Sequence, residues 1–329
     1  MMHGMDTIAV GTSDLEVSEI IFGCMSYGDP ARGTHAWSLP EDESRPFIRQ
    51  ALEAGITTFD TANMYSDGSS EEIVGRALGD FARRQDVVIA TKVFFPMGGD
   101  PSSGGLSASA IARHIDESLR RLGTDYVDLY QIHRWDPEVP IEETMEALDR
   151  VVQSGKARFI GASSMWAWQL AQAQHAADLN GWTPFVSMQG QYNLVQREDE
   201  REMHPFCLDE GIGVIPWSPL ARGRLTREWD DAGTLRSGTD HAIDKFYGHA
   251  HDSNRAITAA VESVAAARGV SRAQVALAWV RQQEVVTAPI VGATKPGHLD
   301  DAIASLDLVL EPAELAALEE PYVPRRPGF

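Results

Sequence analysis

Short apolar runs rich in β-branched residues recur along the chain roughly every 30 residues, and a helical pattern follows nearly every one. The strand candidates are Ile20–Gly23, Ile56–Asp60, Val87–Thr91, Val127–Ile132, Arg158–Gly161, Phe185–Gln189, Gly213–Pro216 and Ala288–Val291. Runs of this kind suit strands covered on both faces, as in parallel sheets. Between them, Glu41–Ala54 follows Pro40 and stops before Gly55, the usual order of helix start and stop signals. Ser107–Leu122 repeats apolar residues at Ile111, Ile115, Leu119 and Leu122, and Gly123 stands ready as its C-terminal cap. Ile141–Ser154 stops at Gly155, and similar patterns cover Ser70–Ala82, Met165–Ala177, Asp199–Glu210, Ser253–Arg268 and Ser271–Gln283.

Eight such strands alternating with helices in 329 residues predict an α/β fold, a (β/α)8 TIM barrel forming one domain over residues 1–329. A doubly wound sheet is the competitor, but Gly23-Cys24-Met25-Ser26-Tyr27-Gly28 lacks the glycine spacing which that fold needs after its first strand. Ahead of the barrel, Thr7–Val10 and Leu15–Val17 flank Gly11-Thr12-Ser13-Asp14 and read as a β-hairpin able to plug the barrel's bottom. A long irregular stretch, about 221–252, follows the seventh strand, and loops of that length are commonly functional.

Composition narrows the function. The 28 basic residues face 48 acidic ones for a formal net charge of −20, a surface that repels phosphate backbones and anionic lipid. Neither a nucleic-acid partner nor a membrane is expected, and no apolar run is long enough to span one. The start of the chain shows no secretory pattern, and Cys24 and Cys207 make no disulfide framework, which fits a cytoplasmic setting.

Three strand candidates each end in one ionisable residue. Ile56–Phe59 delivers Asp60, with Tyr65 five residues on; Val87–Thr91 delivers Lys92; Val127–Ile132 delivers His133. Each has an ordinary explanation: a turn aspartate, a packed phenol, a solvated lysine, a satisfied core histidine. Their appearance on consecutive β-then-α units favours a shared site at the C-terminal mouth of the barrel. Ser163, Gln189 and Trp217 sit at or just past later strand ends. A phenol is a reluctant acid near pKa 10, and a neighbouring ammonium eases its ionisation. Asp60 would hold that ammonium, and His133 would orient a carbonyl oxygen. The set suits a carbonyl becoming an alcohol as hydride arrives at carbon.

The motifs Phe59-Asp60-Thr61-Ala62-Asn63-Met64-Tyr65, Ala90-Thr91-Lys92 and Asp128-Leu129-Tyr130-Gln131-Ile132-His133 resemble those of the aldo-keto reductases, nearly end to end along the chain. The flavour is that of the aryl-alcohol-dehydrogenase-like bacterial branch. The resemblance implies NADPH, or less often NADH, bound on a (β/α)8 barrel to reduce aldehydes or ketones, with Tyr65 as proton donor beside Asp60, Lys92 and His133. It implies nicotinamide contacts near Ser163, Ser164 and Gln189, a stacking ring at Trp217, and Gly23 and Met25 on the cofactor side. Ser164 stands where the family usually has Asn. The segment Ser218-Pro219-Leu220-Ala221-Arg222-Gly223 resembles the pyrophosphate loop, with Ser218, Leu220, Arg222 and Gly223 as contacts. The segment Gly292-Ala293-Thr294-Lys295-Pro296-Gly297-His298 resembles the adenosine site, with Gly292, Thr294, Lys295, His298 and Asp301 as contacts and Lys295 the candidate for the 2′-phosphate. Ala302 replaces a frequent Asn there.

The expected substrate pocket is lined by Tyr27, Trp37, Met64, Phe94, Phe95, Trp135 and Trp166, which favours an apolar or aromatic small-molecule carbonyl or alcohol. No metal site is expected, since His249-Ala250-His251 lacks a third ligand nearby. Two other functions compete. Channel β-subunits share this barrel, so a non-enzymatic cofactor-sensing module is one alternative, against which the intact tetrad speaks. A Schiff-base lyase using Lys92 is the other, and Asp60 with Tyr65 fits the reductase better.

Overall fold

Ten strands and ten helices occur among residues 5–33, 37–229, 246–248 and 250–326, the residues this computed structural model describes. A hairpin of β1 (Thr7–Ala9) and β2 (Glu16–Ser18) precedes β3 (Ile21–Gly23), β4 (Thr58–Asp60), β5 (Val88–Val93), β6 (Val127–Ile132), β7 (Ala157–Ser163), β8 (Phe185–Gln189), β9 (Gly213–Val214) and β10 (Ile290–Val291). These last eight form one parallel sheet in the order β10-β3-β4-β5-β6-β7-β8-β9. The sheet closes on itself. Val214 bridges Val286 in parallel, Thr287 N donates to Val214 O at 2.8 Å, and Ile290 N donates to Pro216 O at 2.9 Å. The fold is the (β/α)8 barrel expected from the strand–helix recurrence.

The helices are α1 (Glu41–Glu53), α2 (Ser69–Phe81), α3 (Ala108–Leu122), α4 (Ile141–Gln153), α5 (Ala167–Asn180), α6 (Met203–Glu210), α7 (His251–Arg268), α8 (Arg272–Arg281), α9 (Pro296–Ala304) and α10 (Pro312–Glu319). Helix α3 shows why they form where they do. Ser107 caps it by accepting from Ala110 N, Gly123 ends it in the left-handed conformation, and Ile111, Ile115, Leu119 and Leu122 are buried. Those residues join a core shared with Phe59, Ile89 and Tyr130 on the outward faces of the strands.

The hairpin does plug the bottom. Val10, Leu15 and Val17 pack with Ala90, Leu129, Ile215 and Ile290 inside the barrel. Gly11 has φ +58°, and a Cβ there would stand 2.0 Å from Gly211 O, so no other residue fits this contact. Strand side chains alternate between faces, so Lys92 shares the inward face of Ala90, and Gln131 that of Leu129. The inward positions are therefore apolar at the bottom and polar at the top.

Boundaries moved where backbone chemistry required it. Strand β9 ends at Val214 rather than Pro216, because proline has no N–H for the ladder; Ile215 and Trp217 still donate to Met188 and Gly190. Helix α6 starts at Met203, with Glu198–Glu200 forming a separate 3-10 turn. Strand β7 runs on to Ser163. Of the long stretch after the seventh strand, residues 230–245 and 249 lie outside the described residues, and Ala221–Thr226 is a 3-10 segment.

Candidate active site

Asp60 closes β4, and the register aligns it with Ala90, two residues before Lys92 on β5. Lys92 is fully buried. Its Nζ donates to Asp60 Oδ1 at 2.5 Å, to Thr61 O at 2.8 Å and to the Tyr65 hydroxyl at 3.4 Å. Burial alone would depress this ammonium's pKa, but Asp60 and then Tyr65 outweigh it and hold it above the ordinary lysine value. The far oxygen of Asp60 accepts from Gln131 Nε2 at 3.1 Å and Gln189 Nε2 at 3.0 Å, and Gln189 also donates to Gln131 Oε1 at 3.0 Å. A buried carboxylate is tolerable when its lone pairs are satisfied in this way. Gly161 leaves room beside Gln131, since a Cβ there would approach Ser187 Oγ to 2.2 Å and Gln131 Cγ to 3.2 Å.

Tyr65 is placed by an unusual turn. Ser66 and Asp67 both take left-handed backbone, with φ of 44° and 49°, and Gly68 follows at 86°. Such strain persists only where neighbours hold it. Here Ser38 Oγ meets Ser66 Oγ at 3.0 Å, Gly98 N donates to Asp67 Oδ1 at 2.9 Å, and Arg32 Nη2 donates to Asp67 O at 2.5 Å. Burial pushes the Tyr65 phenol above its ordinary pKa; Lys92, and more weakly Arg134, pull it back.

His133 meets Tyr65 edge-on, with ring centroids 5.8 Å apart, and Phe95 at 5.0 Å. Burial first, then Lys92 and Arg134, holds its pKa well below that of ordinary histidine, so the ring is neutral at pH 7. Its Nδ1 is buried and meets no hydrogen-bond partner among the described residues. The three strand-end groups and Tyr65 from the turn thus converge. The neighbouring thiol takes no part: burial, then Asp60, pushes Cys24 well above its usual pKa.

On the next wall, Ser163 Oγ lies 3.2 Å from Ser164 Oγ, which accepts from Trp217 Nε1 at 3.2 Å. Ser164, Ser218, Ala221 and Arg222 all have left-handed backbone, with Gly223 at φ +83°. Asn193 Nδ2 donates to Ser218 O at 2.8 Å and fixes the start of this turn, whose partly buried Leu220 packs against the core. Gly23 and Gly292 face each other, a Cβ on Gly292 standing 3.4 Å from Gly23 O, with Met25 partly buried beside them in sequence. Lys295 is exposed at the N-cap of α9, and Thr294 N donates to His298 Nδ1 at 3.3 Å.

Two expected site residues are otherwise engaged. Tyr27 is fully buried and donates its hydroxyl to Ala293 O at 2.8 Å, so it is core rather than pocket wall. Asp301 accepts from Ser271 Oγ at 2.7 Å and Gln274 Nε2 at 2.9 Å, so its carboxylate ties α9 to α8. Met64, Phe94, Phe95 and Trp135 are partly buried, Trp37 is buried, and Trp166 is 44% exposed. The sequence reading passed over Gln131, Arg134 and Trp168. Only the spacing of Gln131, two residues before His133 on one strand face, could have signalled its place. Among the described residues no three His, Cys, Asp or Glu side chains are placed to hold a metal ion, and His249 lies outside them.

A closed parallel barrel with an Asp–Lys–Tyr–His constellation at its C-terminal mouth defines a class of oxidoreductases built on one domain fold. The aldo/keto reductase family profile matches residues 19–322, and the chain belongs to that family. It is 47% identical to the versiconal hemiacetal acetate reductase of Aspergillus parasiticus, with 98% of each chain covered. It is 44% identical to a Schizosaccharomyces pombe protein whose name assigns it provisionally to the aryl-alcohol dehydrogenases, over 96% of this chain and 95% of that one. A similarly named protein of Saccharomyces cerevisiae is 39% identical over 97% of both chains. The aryl-alcohol-dehydrogenase flavour holds. The expected bacterial branch gains no support, since these relatives come from fungi. No helix among the described residues is long and apolar enough to cross a membrane.

Proposed function

We propose that the chain reduces aldehydes or ketones to alcohols, reversibly, with NADPH in preference to NADH. The observation that carries this reading is the buried Lys92 ammonium, bonded to Asp60 at 2.5 Å and 3.4 Å from the Tyr65 hydroxyl. When bound, the nicotinamide supplies hydride to the carbonyl carbon. Tyr65 gives its proton to the carbonyl oxygen, and Lys92 stabilises the phenolate left behind. Asp60, held by Gln131 and Gln189, keeps the lysine charged and in place. The neutral His133 ring offers an N–H to the same oxygen and orients it. A positioned acid contributes roughly 10²–10⁴-fold to such a step.

The cofactor-side residues fit a dinucleotide. Trp217 offers its ring, and Ser163, Ser164 and Gln189 offer polar groups to a carboxamide. The left-handed turn at Ser218–Gly223, in which Ala221 N and Gly223 N bond back to Ser218 O and Leu220 O, is the segment we assign to the pyrophosphate, with Arg222 adding charge. Lys295, exposed at the start of α9, is our candidate partner for a 2′-phosphate. Phe94, Phe95, Trp135 and Trp166 favour an aromatic carbonyl, in keeping with the aryl-alcohol names among the relatives. Two buried free cysteines accord with a reducing, cytoplasmic setting.

Oxidation of NADPH and NADH, followed with aromatic aldehydes, ketones, sugars and quinones, tests the reading. Faster turnover of NADPH with aromatic aldehydes is the expected result. Tight NADPH binding without oxidation across the panel would point instead to a cofactor-sensing module. Borohydride trapping of substrate on Lys92 would point to a Schiff-base lyase.

A further inference from the structure

Arg134 follows His133 directly at the end of β6, at the mouth of the barrel. It is partly buried, and its Nη1 is shut off from solvent with no hydrogen-bond partner among the described residues. Three other sheltered arginines are compensated by carboxylates, Arg84 by Asp128 at 2.7 Å, Arg121 by Glu71 at 2.6 Å and Arg197 by Glu200 at 2.7 Å, while Arg224 and Arg325, away from the reacting groups, bond to Trp229 O and Asn254 Oδ1. Arg134 has no ion pair with a described carboxylate. A shielded cation left unpaired is destabilising, so its retention needs a reason outside the free fold. Its charge is felt at Tyr65 and at His133. Lys92 is neutralised by Asp60 and His133 is neutral, so Arg134 leaves one uncompensated positive charge beside the reacting groups. The chain around it carries a formal net charge of −20, against which a local unpaired cation stands out.

The surroundings narrow the ligand. Trp135 meets Trp168 with ring centroids 5.8 Å apart, and Phe94 meets Phe95 at 5.2 Å, with Phe95 against His133. Trp168 is 55% exposed, at the rim. An aromatic ring is the shape these faces receive, and a guanidinium is the group that grips a carboxylate through paired N–H donors. We propose that Arg134 is a specificity-determining residue that selects aromatic carbonyl substrates carrying a carboxylate beside the reacting carbonyl. The proposal rests on the reductase reading above.

The test compares wild type, Arg134→Met and Arg134→Lys on 2-carboxybenzaldehyde and benzaldehyde, with NADPH saturating. In Arg134→Met the ratio of kcat/KM for the charged over the neutral aldehyde falls roughly tenfold or more, chiefly through KM, and Arg134→Lys restores part of it. In parallel, calorimetry on protein saturated with NADP⁺ compares benzoate with benzamide. Benzoate loses about tenfold in affinity on Arg134→Met while benzamide does not. An unchanged ratio together with unchanged benzoate affinity overturns the proposal. So does an equal loss of kcat for both aldehydes with a shifted pH profile, which would mean that Arg134 acts on Tyr65 and not on substrate. If wild type turns over neither aldehyde, the reductase reading fails, while the benzoate titration still decides the role of Arg134.

Discussion

The floor of the mouth and the rim proposed to take the cofactor are built on opposite principles. The floor residues Asp60, Lys92, Gln131 and Gln189 lie within strands, buried and bonded to one another across four staves of the barrel. The rim, Ser218–Gly223 and Gly292–His298, hangs on turns with left-handed backbone and on one exposed helix start. The floor is pre-assembled, because ladder pairing fixes each side chain before any ligand arrives. The rim includes the exposed Lys295, which the proposed function gives to a ligand. Damage to the floor should therefore appear in stability and turnover together, and damage to the rim in cofactor affinity alone.

The largest test of that contrast is Lys92→Met, which leaves Asp60 buried without its counter-charge. We expect a loss of about 3–5 kcal/mol in chemical denaturation together with collapse of turnover. Equal stability would mean that the floor is not the tight network described. Gln131→Leu is milder. It removes one donor to Asp60 and leaves the acceptor underserved, at about 1–3 kcal/mol, with cofactor affinity unmoved.

A pH experiment separates His133 from the rest. Its folded pKa lies well below the unfolded value of about 6.5, so it favours the fold above that pH and the contribution is lost as pH falls toward the folded value. Below about pH 6.5 the unfolded chain binds a proton there that the folded chain refuses, and stability drops by up to about 1.4 kcal/mol per pH unit from this group. Comparing the pH dependence of unfolding in wild type and His133→Asn should show a shallower acid slope in the variant. The smallest expected effect is on the rim. Lys295→Met should raise KM for NADPH a few-fold, about 0.5–1 kcal/mol for an exposed charge, and leave KM for NADH alone.

The same contrast explains what the sequence allowed one to read. Asp60, Lys92 and His133 are legible because each ends an apolar strand candidate in one ionisable group, on three such runs in succession. Gln131 was passed over because an amide inside a buried run reads as packing until its register with Lys92 is known. Arg134 was missed because nothing local says that its guanidinium stays sheltered. The rim was legible only through resemblance. Left-handed backbone at Ser218, Ala221 and Arg222 has no sequence mark, since non-glycine residues seldom adopt it. Tyr27 is expected in the pocket as a loop aromatic after a strand, and Asp301 at the adenosine site by resemblance, but their hydroxyl and carboxylate already have partners in Ala293, Ser271 and Gln274.

In the proposed function Tyr65 is the group that meets the substrate, and Lys92 and Asp60 beneath it hold and tune it. Its phenol is raised by burial, so the rate of reduction should stay flat through neutral pH and fall only as pH climbs past about 10, the ordinary phenol value. The direct measurement is Tyr65→Phe, with NADPH dissociation and aldehyde turnover determined on the same preparation. We expect unchanged NADPH affinity and turnover lower by about 10²–10⁴-fold. Reduction of a good substrate at the wild-type rate would contradict it.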